Sequence, residues 1–171
     1  MVPESPETTE VRPEFPIGMY SARMDEKGRI KLPSVFQTYF SEIGVSKVFV
    51  TSLDGCIGQI YTIPVWRANL KTLAESKADP TMISDLLFNA NDLGTEADID
   101  ASGRITVKQR MREELDLVGQ DLHLWASKGR IEILNEARHA EWRLRARGQV
   151  NAEGKRRATE NLRLLEQAGL Q

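Results

Sequence analysis

Cysteine is almost absent from this 171-residue chain. Cys56 stands alone, which excludes an intrachain disulfide and suits a reducing compartment. No apolar run approaches the roughly 20 residues of a membrane-spanning helix. The N-terminus is acidic and punctuated by proline, without the basic and apolar regions of a secretion signal. A soluble, cytoplasmic protein is expected. Histidine is scarce as well. His123 and His139 lie far apart in the chain, with no Cys or carboxylate at metal-ligand spacing, so neither metal nor cofactor is expected. Phosphate-loop and dinucleotide-binding glycine patterns are missing. Cys56 sits in a strand–turn context with no evident base and reads as an inert thiol. No nucleophile–base pair remains on which to build an enzyme.

An excess of positive charge is missing too. The formal net charge is −2, the wrong sign for a nucleic-acid binder, but the distribution matters more than the sum. Residues 1–17 carry Glu4, Glu7, Glu10 and Glu14 against Arg12 alone. Residues 138–163 hold eight Arg or Lys against three Glu. Around residue 27 the chain is locally positive, with Arg23, Lys27, Arg29 and Lys31 against Asp25 and Glu26.

What the chain does have is a motif written twice. Asp25-Glu26-Lys27-Gly28-Arg29-Ile30-Lys31-Leu32-Pro33 is echoed by Asp100-Ala101-Ser102-Gly103-Arg104-Ile105-Thr106-Val107, offset by 75 residues. Two copies are too few for a solenoid, so a pseudo-two-fold pair is the better reading. Asp suits a bond to a backbone N–H two residues on, and Gly suits a positive-φ position. Arg-Ile-Lys-Leu then alternates polar with apolar, the pattern of a half-buried strand. Tyr20–Met24 is expected to pair with it as a hairpin. Pro33 ends the strand and suits the start of a helix over Ser34–Ile43. Lys27 and Arg29 are thereby expected to point outward from a stiff turn.

Along the chain, Met1 to about Pro16 reads as a disordered acidic arm. Lys47–Thr51 and Ile57–Tyr61 read as a hairpin turned at Asp54-Gly55. From Pro64, a helix places Trp66, Leu70 and Leu73 on one apolar face. Asp79-Pro80 breaks it, and a second short helix carries Met82, Ile83, Leu86 and Leu87. The second unit opens at about Thr95, with a short helix over Gln109–Leu115. Its hairpin is Leu122–Trp125 with Arg130–Leu134, around Lys128-Gly129. A helix over Glu136–Arg147 carries Trp142, and from Asn151 the pattern is helical again, with Leu162, Leu165 and Ala168 on one face. The expected division is therefore an arm (1–17), a first unit (18–67), a helical connector (68–94), a second unit (95–147) and a helical tail (148–171).

The ordered set of Asp25-x-Lys27-Gly28-Arg29-x-x-Leu32-Pro33-x-x-Phe36, Gly55-Cys56-Ile57, Ile60-Tyr61, Trp66, Asp79-Pro80, Leu86-Leu87 and Asp100-x-x-Gly103-Arg104-Ile105 resembles the MraZ family of bacterial transcriptional regulators. The resemblance spans roughly residues 18–145. It implies an α+β fold of duplicated swapped-hairpin, AbrB-like β-barrel units with short helices and a helical connector. It also implies a homo-oligomer closed into a ring, octameric or similar. Such a ring would bind double-stranded promoter DNA at short direct repeats and repress its own division and cell-wall gene cluster, at the nucleoid in the cytoplasm. The sequence departs from the family pattern at Gln37, which follows Phe36 where a basic residue is usual. Ser102 stands opposite Lys27 and Lys108 opposite Pro33, while Thr95–Leu117 holds six acidic residues against four basic ones.

The resemblance carries Arg29 over as the essential DNA contact, reading base edges, with Lys27 next, at phosphate. Arg23 and Lys31 fit either phosphate contact or protection of an edge strand. Arg104 reads as more structural than base-reading, paired with a carboxylate such as Asp100 or with a neighbouring subunit. Trp66, Trp142 and Tyr61 read as core or interface residues. The basic tail reads as a solvated face or a non-specific DNA contribution. Two alternatives stand beside the regulator: an oligomeric scaffold of the same fold without specific DNA binding, and an antitoxin-type DNA binder, which generally carries one motif per chain.

Overall fold

The computed structural model describes residues 12–148 and 152–171. The first half runs β1 (Met19–Arg23), β2 (Arg29–Lys31), α1 (Ser34–Glu42), β3 (Lys47–Thr51), β4 (Gly58–Thr62) and α2 (Ile63–Glu75). A connecting helix, α3 (Pro80–Leu93), leads to the second half. There β5 (Thr95–Asp98), β6 (Arg104–Thr106), α4 (Gln109–Glu114), β7 (Asp121–Ser127), β8 (Arg130–Leu134) and α5 (Glu136–Arg147) repeat the same order, and α6 (Ala152–Gln167) closes the chain. The class is α+β. None of the helices among the described residues is long and apolar enough to cross a membrane.

Residue chemistry accounts for the helix ends. Asp79 caps α3 by accepting from the Thr81 N–H at 2.8 Å, with Pro80 in the first turn, where a missing N–H costs nothing. α3 then runs on to Leu93, further than the short helix expected around Met82–Leu87. Asn135 caps α5 through the Arg138 N–H at 2.8 Å. Along α2, Trp66 alone of the expected apolar face is buried; Leu70 is exposed, and Leu73 lines a groove shared with Ile83 and Leu87 of α3.

Strand pairing crosses between the halves. The six-stranded sheet has the order β1-β7-β8-β4-β3-β5, which reads the same when each strand is exchanged for its counterpart. β1 lies against β7 in antiparallel register from Met19↔Trp125 to Arg23↔Asp121, and β5 lies against β3. Among the described residues, β2 and β6 form a separate two-stranded sheet. The expected hairpin of Tyr20–Met24 with the following strand is therefore corrected: a single bridge, Met24↔Ile30, is all that joins them. The physical reason is burial. Ile30 and Ile105 are each completely inaccessible, and they reach that state by facing one another across β2 and β6.

The main core keeps the 75-residue offset. Ile30, Leu32, Phe36 and Phe40 from the first half are matched by Ile105, Val107, Met111 and Leu115 from the second, and all eight are buried in one cluster. Ahead of it, Phe15 packs edge-on against Tyr39 at 5.2 Å; residues 1–11 of the expected acidic arm lie outside the described residues. A smaller cluster stacks Trp66 on Phe49 at 4.8 Å, with Tyr61 and Ala90 beside them. Trp142 is half-buried, edge-on to Trp125 at 5.4 Å.

Candidate functional site

Each copy of the motif folds around one carboxylate. Asp25 Oδ1 accepts from the backbone N–H of Lys27 and of Arg29, both at 2.9 Å, and Oδ2 accepts from Arg29 Nε at 2.8 Å. Asp100 repeats the arrangement with Ser102 N–H and Arg104 N–H at 2.9 Å and Arg104 Nε at 3.0 Å. The backbone closes each turn identically, Gly28 N–H to Asp25 C=O and Gly103 N–H to Asp100 C=O. Gly28 and Gly103 sit at φ of 76° and 73°, the left-handed region that side chains avoid. The backbone N–H of Arg29 is the leading cause holding the Asp25 carboxyl below its usual range, and that of Arg104 does the same for Asp100.

From these turns the chain enters β2 and β6, where register decides which side chains share a face. Ile30 opposes Ile105 on the buried side. Period-two alternation therefore puts Arg29, Lys31, Arg104 and Thr106 together on the outer side, with Lys31 opposite Arg104 and Arg29 opposite Thr106. Lys27 is exposed in the first turn; Ser102 holds the equivalent place in the second. Arg23 lies apart, at the end of β1, in a surface ion pair with Asp121 at 3.1 Å. It joins Lys31 and Ser102 along an open groove of 640 Å³.

Arg29 and Arg104 were read differently from sequence, but their local geometry is the same. Neither is a free charge on a turn: the side chains are 25% and 34% exposed, and each is tied through Nε to its own aspartate. Among the described residues no further bond engages either guanidinium, so the terminal amino groups remain as donors.

Two residues reach these turns from the other half: Arg112, and Gln37, which the sequence marks only as a departure from the family pattern. A Cβ on Gly28 would collide with the guanidinium of Arg112, and one on Gly103 would collide with the side-chain amide of Gln37. Each turn is thus covered by a helix of the other half, α4 over the first turn and α1 over the second. Gln37 Nε2 donates to Leu32 C=O at 2.6 Å. Arg112 Nε is buried, with no hydrogen-bond partner among the described residues. The signal was available: Gln37 and Arg112 are themselves 75 residues apart.

Away from this face, His123 and His139 do meet. Their rings stack at 3.7 Å with planes 7° apart, and His123 Nε2 lies 2.8 Å from Glu136 Oε1. Burial, then the neighbouring His123, pushes the His139 pKa down. Cys56 Sγ accepts from Arg138 Nη2 at 3.2 Å. Among the described residues no three His, Cys, Asp or Glu converge to hold a metal ion.

No family model matches the chain. Several curated relatives do, each bearing the description transcriptional regulator MraZ. The one from Acidobacterium capsulatum is 31% identical over 118 residues, covering 69% of this chain and 80% of the relative. That from Koribacter versatilis is 30% identical over 105 residues, 60% and 71% of the two chains. That from Moorella thermoacetica is 29% identical over 129 residues, 74% and 85%.

Proposed function

The chain belongs to the MraZ family of transcriptional regulators, and from that premise we propose that it binds double-stranded DNA through the outer face of the β2–β6 sheet and its two turns. The observation that carries the proposal is the gathering of Arg29, Lys31 and Arg104 on one side of a sheet whose other side is core, with Lys27 at the tip of the adjoining turn. Asp25 fixes the Arg29 guanidinium through Nε and leaves the amino groups to reach base edges, with guanine O6 and N7 the fitting acceptors. Lys27 and Lys31 face phosphates, where an ammonium acts as a point charge. Arg104, held like Arg29, adds its charge from the second turn, and Arg23 extends the basic track along the groove.

The strand exchange between halves supports a duplicated swapped-hairpin, AbrB-like architecture. In the fuller form of the proposal, several copies close into a ring. Successive subunits read short direct repeats upstream of a division and cell-wall gene cluster and repress it, at the nucleoid. Modest single contacts then multiply into useful avidity.

The test is fluorescence anisotropy with the labelled duplex from immediately upstream of the chain's own gene. Wild type and Arg29→Ala are compared at two salt concentrations, after light scattering shows equal oligomeric mass. Tight, salt-sensitive wild-type binding that the substitution abolishes supports the reading. The ion pairs within the turns favour one competing account, in which Arg29 and Arg104 only brace their turns and the chain is an oligomeric scaffold. Absence of specific wild-type binding would remove autoregulation at that site and favour that account instead.

A further inference from the structure

The two turns are built alike but covered differently. Gln37 over the second turn is neutral, and its amide is engaged by Leu32 C=O. Arg112 over the first turn is charged, and its Nε, sealed from solvent, has no partner among the described residues. A charged side chain here gives the first turn a positive charge that the second turn, under the neutral Gln37, does not have. It stands against Gly28, between the exposed Lys27 and the half-buried Arg29. The fold thus gathers three cations, Lys27, Arg29 and Arg112, at the first turn against Asp25 and Glu26. At the second it places Arg104 against Asp100, with Ala101 and Ser102 in the tip.

We propose that Arg112 is a phosphate-binding residue of the first turn, supplied by the second half of the chain, which makes this turn the grip on the DNA backbone. The inference rests on the DNA-binding reading above and adds to it a residue and a ligand group. Its position at the base of the turn, where a Gly28 Cβ would stand, keeps it from the floor of a groove. Phosphates flank a turn that enters a groove, and an oxygen there accepts from the terminal amino groups of Arg112, a residue that is only partly buried. A guanidinium offers it several donors in a fixed plane.

The test is the salt dependence of binding to the same duplex, in wild type, Arg112→Gln and Arg112→Met. Gln repeats what this fold already places over Gly103, and Met keeps a long side chain over Gly28 without charge. Each phosphate contact contributes about 0.9 to the slope of log K against log salt. Loss of one contact at each engaged first turn is expected to flatten the slope by about 0.9 per engaged turn and to weaken binding about fivefold per turn near physiological salt. Arg112→Lys, which keeps the charge, is expected to retain most of the slope. Wild-type slope and affinity in a folded Gln or Met variant would overturn the inference. So would weaker binding with an unchanged slope, which marks a packing role. If the Gln variant does not fold, the Met variant is judged by the same criterion. Failure of the DNA reading itself is distinguishable, because wild type then shows no salt-dependent binding before any variant is compared.

Discussion

Replacing Gly103 by alanine tests the account of the turns through opposing contributions of known size. The residue sits at φ of 73°, and a Cβ in that region costs about 1–2 kcal/mol. The new methyl also meets the Gln37 amide. That amide is the far end of a flexible side chain, so it can swing away, at the expense of its 2.6 Å bond to Leu32 C=O. Losing the bond costs about 0.5–1.5 kcal/mol. Against these, alanine restricts the unfolded chain and returns about 0.4–1 kcal/mol. The net expectation is a loss of about 0.5–3 kcal/mol; at the middle of that range, Tm falls by about 3.5–7 °C for a chain of this size. Urea unfolding followed by circular dichroism, at fixed protein concentration, measures it. A double-mutant cycle then isolates the cause. Gln37→Ala alone should cost about 1 kcal/mol, but almost nothing in the Gly103→Ala background, where the bond is already broken. Simple additivity of the two substitutions would refute the reasoning, because the methyl would then displace something other than Gln37.

Two further expectations concern the same region. Ile105 is fully buried against Ile30, so Ile105→Ala should cost about 2–5 kcal/mol of unfolding free energy; a loss under about 1 kcal/mol would mean the two-stranded sheet is not part of the core. Asp25 and Asp100 titrate below the ordinary 3.8 in the folded chain, so their stabilisation is complete above that pH. It drains away as the pH falls through the lowered folded values, since the unfolded chain takes up the protons first. A chain with both Asp25→Asn and Asp100→Asn should therefore show a flatter decline of Tm than wild type as the pH falls below about 4, and equal slopes there would contradict the turn geometry.

Local pattern made much of this fold legible. β3, β8 and α5 begin and end where the β-branched and aromatic run, the Lys128-Gly129 turn and the helical spacing place them. Alternation reports which side of a strand is buried, not which strand lies beside it, so the partner of β1 was misread as its neighbour in sequence. That partner, β7, lies about a hundred residues on. The site was legible where chemistry is local, in the Asp-x-x-Gly-Arg turns. It was not legible where a side chain arrives from the other half. Arg112 was counted among the charges of an acidic segment, and only the exchange of elements sets it on Gly28. Likewise His123 and His139, on a strand and a helix, meet only through the packing of α5 on β7.

The covalent link between the halves has an evolutionary consequence. If each half were a separate polypeptide, the same exchange of strands would demand a two-fold dimer, and every substitution would fall on both turns at once. A single chain holds its second half at high effective concentration and releases it from identity with the first. One turn could then drift, Lys27 to its counterpart Ser102 and Arg112 to its counterpart Gln37, while the hydrophobic positions shared by both halves stayed matched. Duplication within the gene thus allows a symmetric scaffold to carry an asymmetric surface.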